Sequence, residues 1–384
     1  MAAMSLVGAA CGGGGDDAGS PADTSTTQPA IAADDDLRLN EIQVIGTHNS
    51  FRTAPHPDEF ALLEAMNPAQ AAERTYSHRS ITDQLAEQNV RQLELDIFLD
   101  AEGGLYSEPA LRNQAGLPPL VEEVPEMAEP GIKVLHEQDV DYRSVCPTLV
   151  ACLTEIEEWS DANPGHVPIA VQIQFKDGPL IFPVEDQAVP EKWDAAAMDT
   201  LDEEIRQVFD PDDLIVPDDV RGDHASLEEA VLTDGWPTLG ESRGKVLFLM
   251  VSTAWYRDSY REGRPNLEGR VLFTSADPGQ PDAAYVGVDD PVAEADRITE
   301  LLDLGYLVRT RSDVPAVDAA ADDTTRRDAA LASGAHFVST DYPGPDGARE
   351  EHGNDFVVQL PDGLAARCNP VTAPATCADE AVEP

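Results

Sequence analysis

Eight short apolar runs, separated by stretches of helical periodicity, constrain this chain more than any other feature of it. The runs fall at residues 42–47, 90–98, 132–135, 168–175, 246–251, 284–288, 306–310 and 337–340. Helical spacing of apolar residues marks 80–88, 149–162, 195–208, 226–232, 292–304 and 324–333. A chain that alternates strands with helices builds a parallel sheet covered by helices. Eight such strands suit an α/β fold of the (β/α)8 TIM-barrel type. A doubly wound open sheet is the rival, but no glycine-rich phosphate loop follows the first run. Residues 179–193 and 210–223 read as loops, and no internal repeat is visible.

In such a barrel, chemistry gathers where the strands end. The first run closes on Ile45-Gly46-Thr47-His48-Asn49-Ser50, a histidine beside an amide. The second contains Leu93-Glu94-Leu95-Asp96, whose two carboxylates stand at i and i+2 and so share one face. The third ends on Val134-Leu135-His136-Glu137. A histidine, an amide and paired carboxylates can form a proton-transfer site beside a hard cation. Two histidines at successive strand ends suit acid–base cleavage of a phosphodiester. On the fourth run, Gln172, Gln174 and Lys176 share one face and are expected inside the barrel, with Val171, Ile173 and Phe175 toward the helices. Arg309 and Arg311 close the seventh run at i and i+2, and Asp341 and Tyr342 follow the eighth. Polar groups converge there at a position where burial without partners would be costly.

Other polar residues read as structural. His56, His78, His166, His224, His336 and His352 lack such neighbours and read as surface or structural groups. Arg91 lies by parity opposite the Glu94/Asp96 face, Trp159 reads as core, and Lys245 precedes its strand, at the wrong barrel end for chemistry.

Charge excludes some partners. Twenty-five Lys and Arg stand against 73 Asp and Glu, a net charge of −48. Nucleic acid is excluded, because nothing would neutralise its phosphates. Electrostatic docking on an anionic membrane is disfavoured. A high-salt habitat would screen the self-repulsion. No run follows the Asp-x-Asp-x-Asp-Gly calcium loop.

Cys11, after Ser5-Leu6-Val7-Gly8-Ala9-Ala10, resembles the lipidated cysteine of a bacterial lipoprotein signal. Gly8 and the lack of a preceding Lys or Arg depart from that pattern and fit a translation start further upstream; a plain secretory signal is the alternative. Residues 12–36 read as a flexible acidic linker and 37–384 as a single folded domain. The remaining cysteines form two close pairs, Cys146/Cys152 and Cys368/Cys377. In an exported protein, short-range pairing is the simplest of the three connectivities, the second pair pinning a C-terminal tail. Zinc is the alternative, but no histidine stands at ligand spacing. No stretch reaches the roughly 18–20 apolar residues that span a bilayer. The protein is expected to be exported, secreted or tethered at the cell surface, and monomeric.

Taken together, the chain resembles the bacterial calcium-dependent phosphoinositide phospholipase C group, within the barrel-fold phospholipase C-like phosphodiesterases. Gly46-Thr47-His48-Asn49-Ser50 resembles the first histidine motif and Val90-Arg91-Gln92-Leu93-Glu94-Leu95-Asp96 the strand-two metal motif. Leu135-His136 falls where the second histidine stands. Ser242-Arg243-Gly244-Lys245-Val246-Leu247 resembles the fifth-strand entry. Val308-Arg309-Thr310-Arg311-Ser312-Asp313 and Ser339-Thr340-Asp341-Tyr342-Pro343 resemble the late motifs. The likeness runs from about Leu37 to Pro343.

The resemblance implies attack by the substrate's own inositol hydroxyl on phosphorus, release of diacylglycerol and a cyclic inositol phosphate. It implies that His48 stabilises or protonates the phosphoryl oxygens and that His136 is the general acid to the glycerol oxygen. Calcium (Ca2+) would sit on Asn49, Glu94, Asp96 and Gln174. Lys176, Arg309 and Arg311 would hold phosphate or inositol hydroxyls, and Tyr342 would lie against the ring. Gln174 stands where relatives usually bring a glutamate, so weaker calcium binding is expected, with Asp139 or Asp141 as helpers. The implied substrate is a phosphoinositide or related phosphodiester, with peripheral membrane contact. Two alternatives stay open: a glycerophosphodiester phosphodiesterase, whose His-Arg-Gly start is replaced here by His48-Asn49-Ser50, and a non-catalytic surface lipoprotein binding calcium or polyols.

Overall fold

The computed structural model describes residues 33–252 and 255–383. Cys11, the expected leader and the linker up to residue 32 lie outside the described residues. Among the described residues, eleven strands form in chain order: β1 (Ile42–Thr47), β2 (Gln92–Phe98), β3 (Lys133–Val134), β4 (Ile169–Phe175), β5 (Leu214–Ile215), β6 (Val246–Met250), β7 (Leu272–Phe273), β8 (Tyr285–Gly287), β9 (Leu307–Arg311), β10 (Phe337–Thr340) and β11 (Ala366–Cys368).

Eight of them are parallel staves. β1, β2, β4, β6 and β7 pair in turn, β8, β9 and β10 pair in turn, and β10 returns to β1. The ring closes between β7 and β8 at the Ser275–Tyr285 bridge, where Ala276 N–H donates to Tyr285 O at 3.2 Å. The fold is thus the expected α/β barrel, but its staves are not all the expected ones. The run at 132–135 contributes β3, which pairs antiparallel with the end of β2 (Ile97 opposite Val134). A parallel stave needs a crossover to the other end of the barrel. Residues 99–131 hold only helices of three to five residues, so the chain turns back where it is. The missing stave is β7, whose two residues are too short to show periodicity. The expected loop at 210–223 holds β5, parallel to β6, and the helix Pro217–Arg221.

The main core lies between the staves and the surrounding helices. Val171, Ile173 and Phe175 of β4 join it, as do Leu153 and Ile156 of the helix Leu149–Ala162 and Leu201 and Ile205 of the helix Ala195–Val208. Thr148 caps the first helix by accepting from Ala151 N–H, and Asp194 caps the second by accepting from Ala196 and Ala197. The other parity of β4 points inward, where Gln92 donates to Gln172 at 3.2 Å and Gln172 to the Tyr285 hydroxyl at 2.5 Å. Gly46 makes room for this polar layer. A Cβ at that position would stand 1.9 Å from Gln92 Oε1 and 2.7 Å from its Cβ.

The two expected disulfides, Cys146–Cys152 and Cys368–Cys377, are present. Among the described residues, no helix is long and apolar enough to cross a membrane. The tail runs back under the barrel: β11 pairs antiparallel with β1, and Val382 is fully buried. Glu383 accepts from Arg91 Nε through both oxygens at 3.0 Å and from Val167 N–H at 2.9 Å. The Arg91 guanidinium also lies over the Trp159 ring, 4.6 Å from its centre. Both residues are structural, as their sequence positions imply. Removing the carboxylate in Glu383→Ala strands a buried guanidinium. We expect a loss of about 2–3 kcal/mol in denaturant unfolding, below the usual cost of opening a fully buried pair because Glu383 keeps some access to water.

Candidate active site

His48 follows β1 directly, and its backbone N–H donates to Thr340 O at 3.0 Å. Asn49 then turns the chain with φ 48°, a left-handed conformation that asparagine tolerates better than most residues. Ser50 ties this turn to β2: its hydroxyl accepts from Glu94 N–H at 2.7 Å, and its own N–H donates to Glu94 O at 2.9 Å. Gln84, on the helix Ile81–Glu87, donates to Ser50 O at 2.7 Å and accepts from the Thr47 hydroxyl at 2.7 Å. The loop that carries His48 and Asn49 is therefore held from both sides.

His48 Nδ1 lies 3.0 Å from Asp341 Oδ1, at the end of β10. Its Nε2 lies 3.9 Å from Glu94 Oε1. Arg311 donates to Asp341 Oδ2 at 3.1 Å, and His78 Nε2 stands 3.8 Å from Oδ1 while sharing a 2.9 Å contact with His48 O. Burial pushes the Asp341 carboxyl up, but His48, His78 and Arg311 outweigh it and hold the group well below the usual carboxylate range. With Nδ1 directed at an ionised carboxylate, Nε2 is the nitrogen that can exchange a proton with a ligand.

The second histidine has the same arrangement. His136 follows β3, and Asp96 O accepts from Leu135 N–H at 3.2 Å, which sets the pair of strand ends together. His136 Nδ1 lies 2.7 Å from Asp141 Oδ2. Arg52 grips Asp141 with two bonds, at 2.9 and 3.1 Å, and Arg74 Nε stands 3.4 Å away. The Arg52 guanidinium also covers the Tyr76 ring at 4.5 Å. Burial opposes ionisation of Asp141, yet Arg52 and His136 hold it well below its ordinary pKa.

Between the histidines lie the carboxylates of β2. Arg309 donates to Glu94 Oε2 at 2.8 Å and to Ser339 at 3.2 Å, and it also pairs with Asp289. Lys176 Nζ stands 3.0 Å from Asp96 Oδ2 as an ion pair without hydrogen-bond angles. Both Asp96 oxygens and Asn49 Oδ1 are buried with no hydrogen-bond donor. Asn49 Nδ2 donates to the Tyr76 hydroxyl at 3.1 Å, which fixes the amide so that its oxygen is the unpartnered atom. An unpartnered amide oxygen, a buried carboxylate whose Oδ1 has no partner and whose Oδ2 meets only Lys176, and the nearby Glu94 are the donors a hard cation takes. The residues present therefore fit calcium, although among the described residues no cluster of three or more His, Cys, Asp or Glu has metal-binding geometry. The set reaches three residues only by including the asparagine amide.

Gln174 is half-buried and stands beside Asp96 in the β2–β4 register. Other expected residues do not reach this site. Asp141 is committed to Arg52 and His136, and Asp139 accepts from Ala110 and Ala188 N–H at 2.9 and 2.8 Å, so neither is available as a helper ligand. Tyr342 is 1% exposed and packs against Phe356, with its hydroxyl on Glu351 and His352 at 3.0 Å. It cannot lie against a bound ring, because strand parity turns it outward from the side that Asp341 faces. Conversely, His78 is not a bystander, and Arg52 and Tyr76 had no local signal beyond their nearness to the first motif.

A closed parallel barrel with two carboxylate-held histidines and paired acids at one mouth defines a phospholipase C-like phosphodiesterase. The family described as Ca2+-dependent phosphoinositide phospholipase C matches residues 37–370, and the chain belongs to it. Among curated proteins no sequence matches. Among solved structures, the calcium-dependent phosphoinositol-specific phospholipase C of a Pseudomonas species is similar, with TM-score 0.54, 18% identity and coverage of 89% of this chain and 97% of that one. The Ca2+-dependent phosphatidylinositol-specific phospholipase C of Streptomyces antibioticus is similar at TM-score 0.52 and 20% identity, covering 80% and 95%. These two likenesses support the fold.

Asp313 is a buried acid here without a cation of its own in hydrogen-bond contact. It accepts from Asp341 N–H at 3.2 Å and from the Ser312 hydroxyl at 3.0 Å, and also from Thr340. Burial and the neighbouring Asp341 charge push its pKa up to about 6. A carboxyl raised on folding stabilises fully below its unfolded pKa, near 4, and loses that contribution as pH rises through about 6. In Asp313→Asn the loss is absent. Whatever the constant offset from altered hydrogen bonds, the melting-temperature difference from wild type should shift in the variant's favour between about pH 4 and 7. A difference independent of pH would show that Asp313 is ionised throughout.

Proposed function

We propose that this protein is a phospholipase C that cleaves the glycerol–phosphate bond of inositol phospholipids by histidine acid–base catalysis with calcium. The observation that carries this reading is the pair of imidazoles, His48 and His136, each held through Nδ1 by a buried carboxylate, at 3.0 and 2.7 Å. Binding alone has no use for two such groups, which weighs against a non-catalytic surface protein.

In the proposed reaction, His48 Nε2 takes the proton of the attacking inositol hydroxyl. The hydroxyl oxygen bonds to phosphorus, the bond to the glycerol oxygen breaks, and His136 supplies the proton that glycerol leaves with. The products are diacylglycerol and a cyclic inositol phosphate, which water opens with the two histidines in exchanged roles. The carboxylate behind His48 favours this base role over simple protonation of a phosphoryl oxygen. Asn49, Glu94 and Asp96, with Gln174 as a neutral fourth donor, would hold calcium, which when bound lowers the hydroxyl's pKa and offsets charge on the phosphoryl group. Arg311, partly exposed and with Nε unpartnered, is suited to a phosphate oxygen or an inositol hydroxyl. Arg309 is almost fully enclosed and is better suited to fixing Glu94.

Two observations bear on the substrate's physical state. Ile181 and Val189, in the segment after β4, Trp255 after β6, and Val292 and Val317 after β8 and β9 are exposed large apolar residues on segments that leave the catalytic end. They support contact with a lipid surface. The charge of −48 favours instead a soluble deacylated diester, the substrate of a glycerophosphodiester phosphodiesterase. The two disulfides support an exported protein.

Phosphatidylinositol in neutral detergent micelles, glycerophosphoinositol and glycerophosphocholine, each with calcium or chelator, separate these readings. Cyclic inositol phosphate released from the lipid, and lost with chelator, is the expected outcome by phosphorus NMR. Turnover of the soluble diesters alone would favour the second reading. His48→Ala and His136→Ala should each lower turnover by about 10²–10⁴-fold with little change in melting temperature. Unchanged turnover in either purified variant removes that residue from the mechanism.

A further inference from the structure

Lys176 is one of only four lysines in the chain. It extends from the end of β4 toward β2, and its ammonium lies 3.0 Å from Asp96 Oδ2. Asp96 is fully buried, whereas the Lys176 side chain is about a quarter exposed and has a way out to solvent. The contact occupies the same carboxylate whose oxygens form part of the calcium-binding set proposed above.

A dication and an ammonium cannot both sit against one buried carboxylate without strong mutual repulsion. Arg309 does not raise the same conflict at Glu94. It is planar, anchored also to Ser339 and Asp289, and it leaves Glu94 Oε1 open. Lysine is the opposite kind of cation: a compact, strongly hydrated charge on a flexible stem. The local charge count points the same way. Glu94, Asp96 and Asp289 face Lys176 and Arg309, three carboxylates against two cations. A dication would turn that small negative surplus into a positive one, and one phosphodiester anion would return it to balance.

We propose that Lys176 is a built-in counter-ion that competes with calcium for Asp96 and moves from the carboxylate to the substrate's phosphate, so that calcium and phosphate binding are positively coupled through this side chain. The inference rests on the reading of Asn49, Glu94 and Asp96 as the cation site. By linkage the coupling is reciprocal: phosphate tightens calcium as much as calcium tightens phosphate.

The test is calorimetric titration of calcium into the metal-free full chain, alone and with inositol 1-phosphate, for wild type, Lys176→Met and Asp96→Asn. Lys176→Met should bind calcium about tenfold tighter than wild type. Inositol 1-phosphate should tighten wild-type calcium binding about fivefold or more, and this coupling should fall below about twofold in Lys176→Met. A second measurement needs no variant: mass-spectrometric amine labelling of the wild type should show Lys176 becoming more reactive with calcium, while Lys133, Lys192 and Lys245 stay unchanged. If Asp96→Asn abolishes calcium binding, yet Lys176→Met binds no tighter and Lys176 labelling ignores calcium, the counter-ion role is overturned and the cation site stands. If Asp96→Asn leaves calcium affinity unchanged, the ligand set and this inference fail together.

Discussion

Buried carboxylates at the catalytic mouth are tolerated because nearly every one has a cation placed against it. Asp341 has His48, His78 and Arg311; Asp141 has Arg52, Arg74 and His136; Glu94 has Arg309; Asp96 has Lys176. Basic residues are scarce in this chain, and five of its 25 Lys and Arg stand there. An unpaired ionised carboxylate in such a place would take up a proton rather than stay charged. Asp313 and Asp96 mark the limit of this compensation: with no cation in hydrogen-bond contact the Asp313 pKa rises to about 6, and at Asp96 burial outweighs Lys176 and also pushes the carboxyl up.

These pairings serve more than neutralisation. Each histidine has one ring nitrogen fixed by a carboxylate that is itself fixed by an arginine, so ring orientation is set two contacts deep. The scaffold supplies the spacing. Parallel register aligns Glu94 with Gln172 and Asp96 with Gln174, and Ser339 with Arg311. Side chains of one parity on successive staves therefore meet inside the barrel without any long-range design in the loops.

Much of this was legible in the sequence because strand parity is a local property. The polar face of β4, the Glu94/Asp96 face of β2 and the placement of His48 after β1 follow from alternation. β7 leaves no sequence signal because two residues carry no period, and β3 reads as a stave because an apolar run does not declare its direction. The carboxylate behind His136 lies five residues on, across a tight turn at Asp139 with φ 69°, and turn geometry of that kind is not visible as a motif. The place of Tyr342 against the ring comes from the resemblance alone; parity turns it outward, since its neighbour Asp341 takes the inward position.

The pairing of β1 with β10 and β11 has a consequence for how the chain is made. The first stave has β2 as an early neighbour, but its other pairings form only when the last strands exist: Val44 lies opposite Phe337 on one side and Ala366 on the other. Contacts this distant in sequence slow folding, because loop closure comes before the stabilising contact. During synthesis the N-terminal half holds β1 with β2 on one side and its other edge open, a row of polar backbone groups awaiting β10. The Cys146–Cys152 and Cys368–Cys377 links each close loops of a few residues and can form before the ring does. A chain that stays open until its end has emerged also stays threadable, which is the state that passage across a membrane as an extended polymer requires.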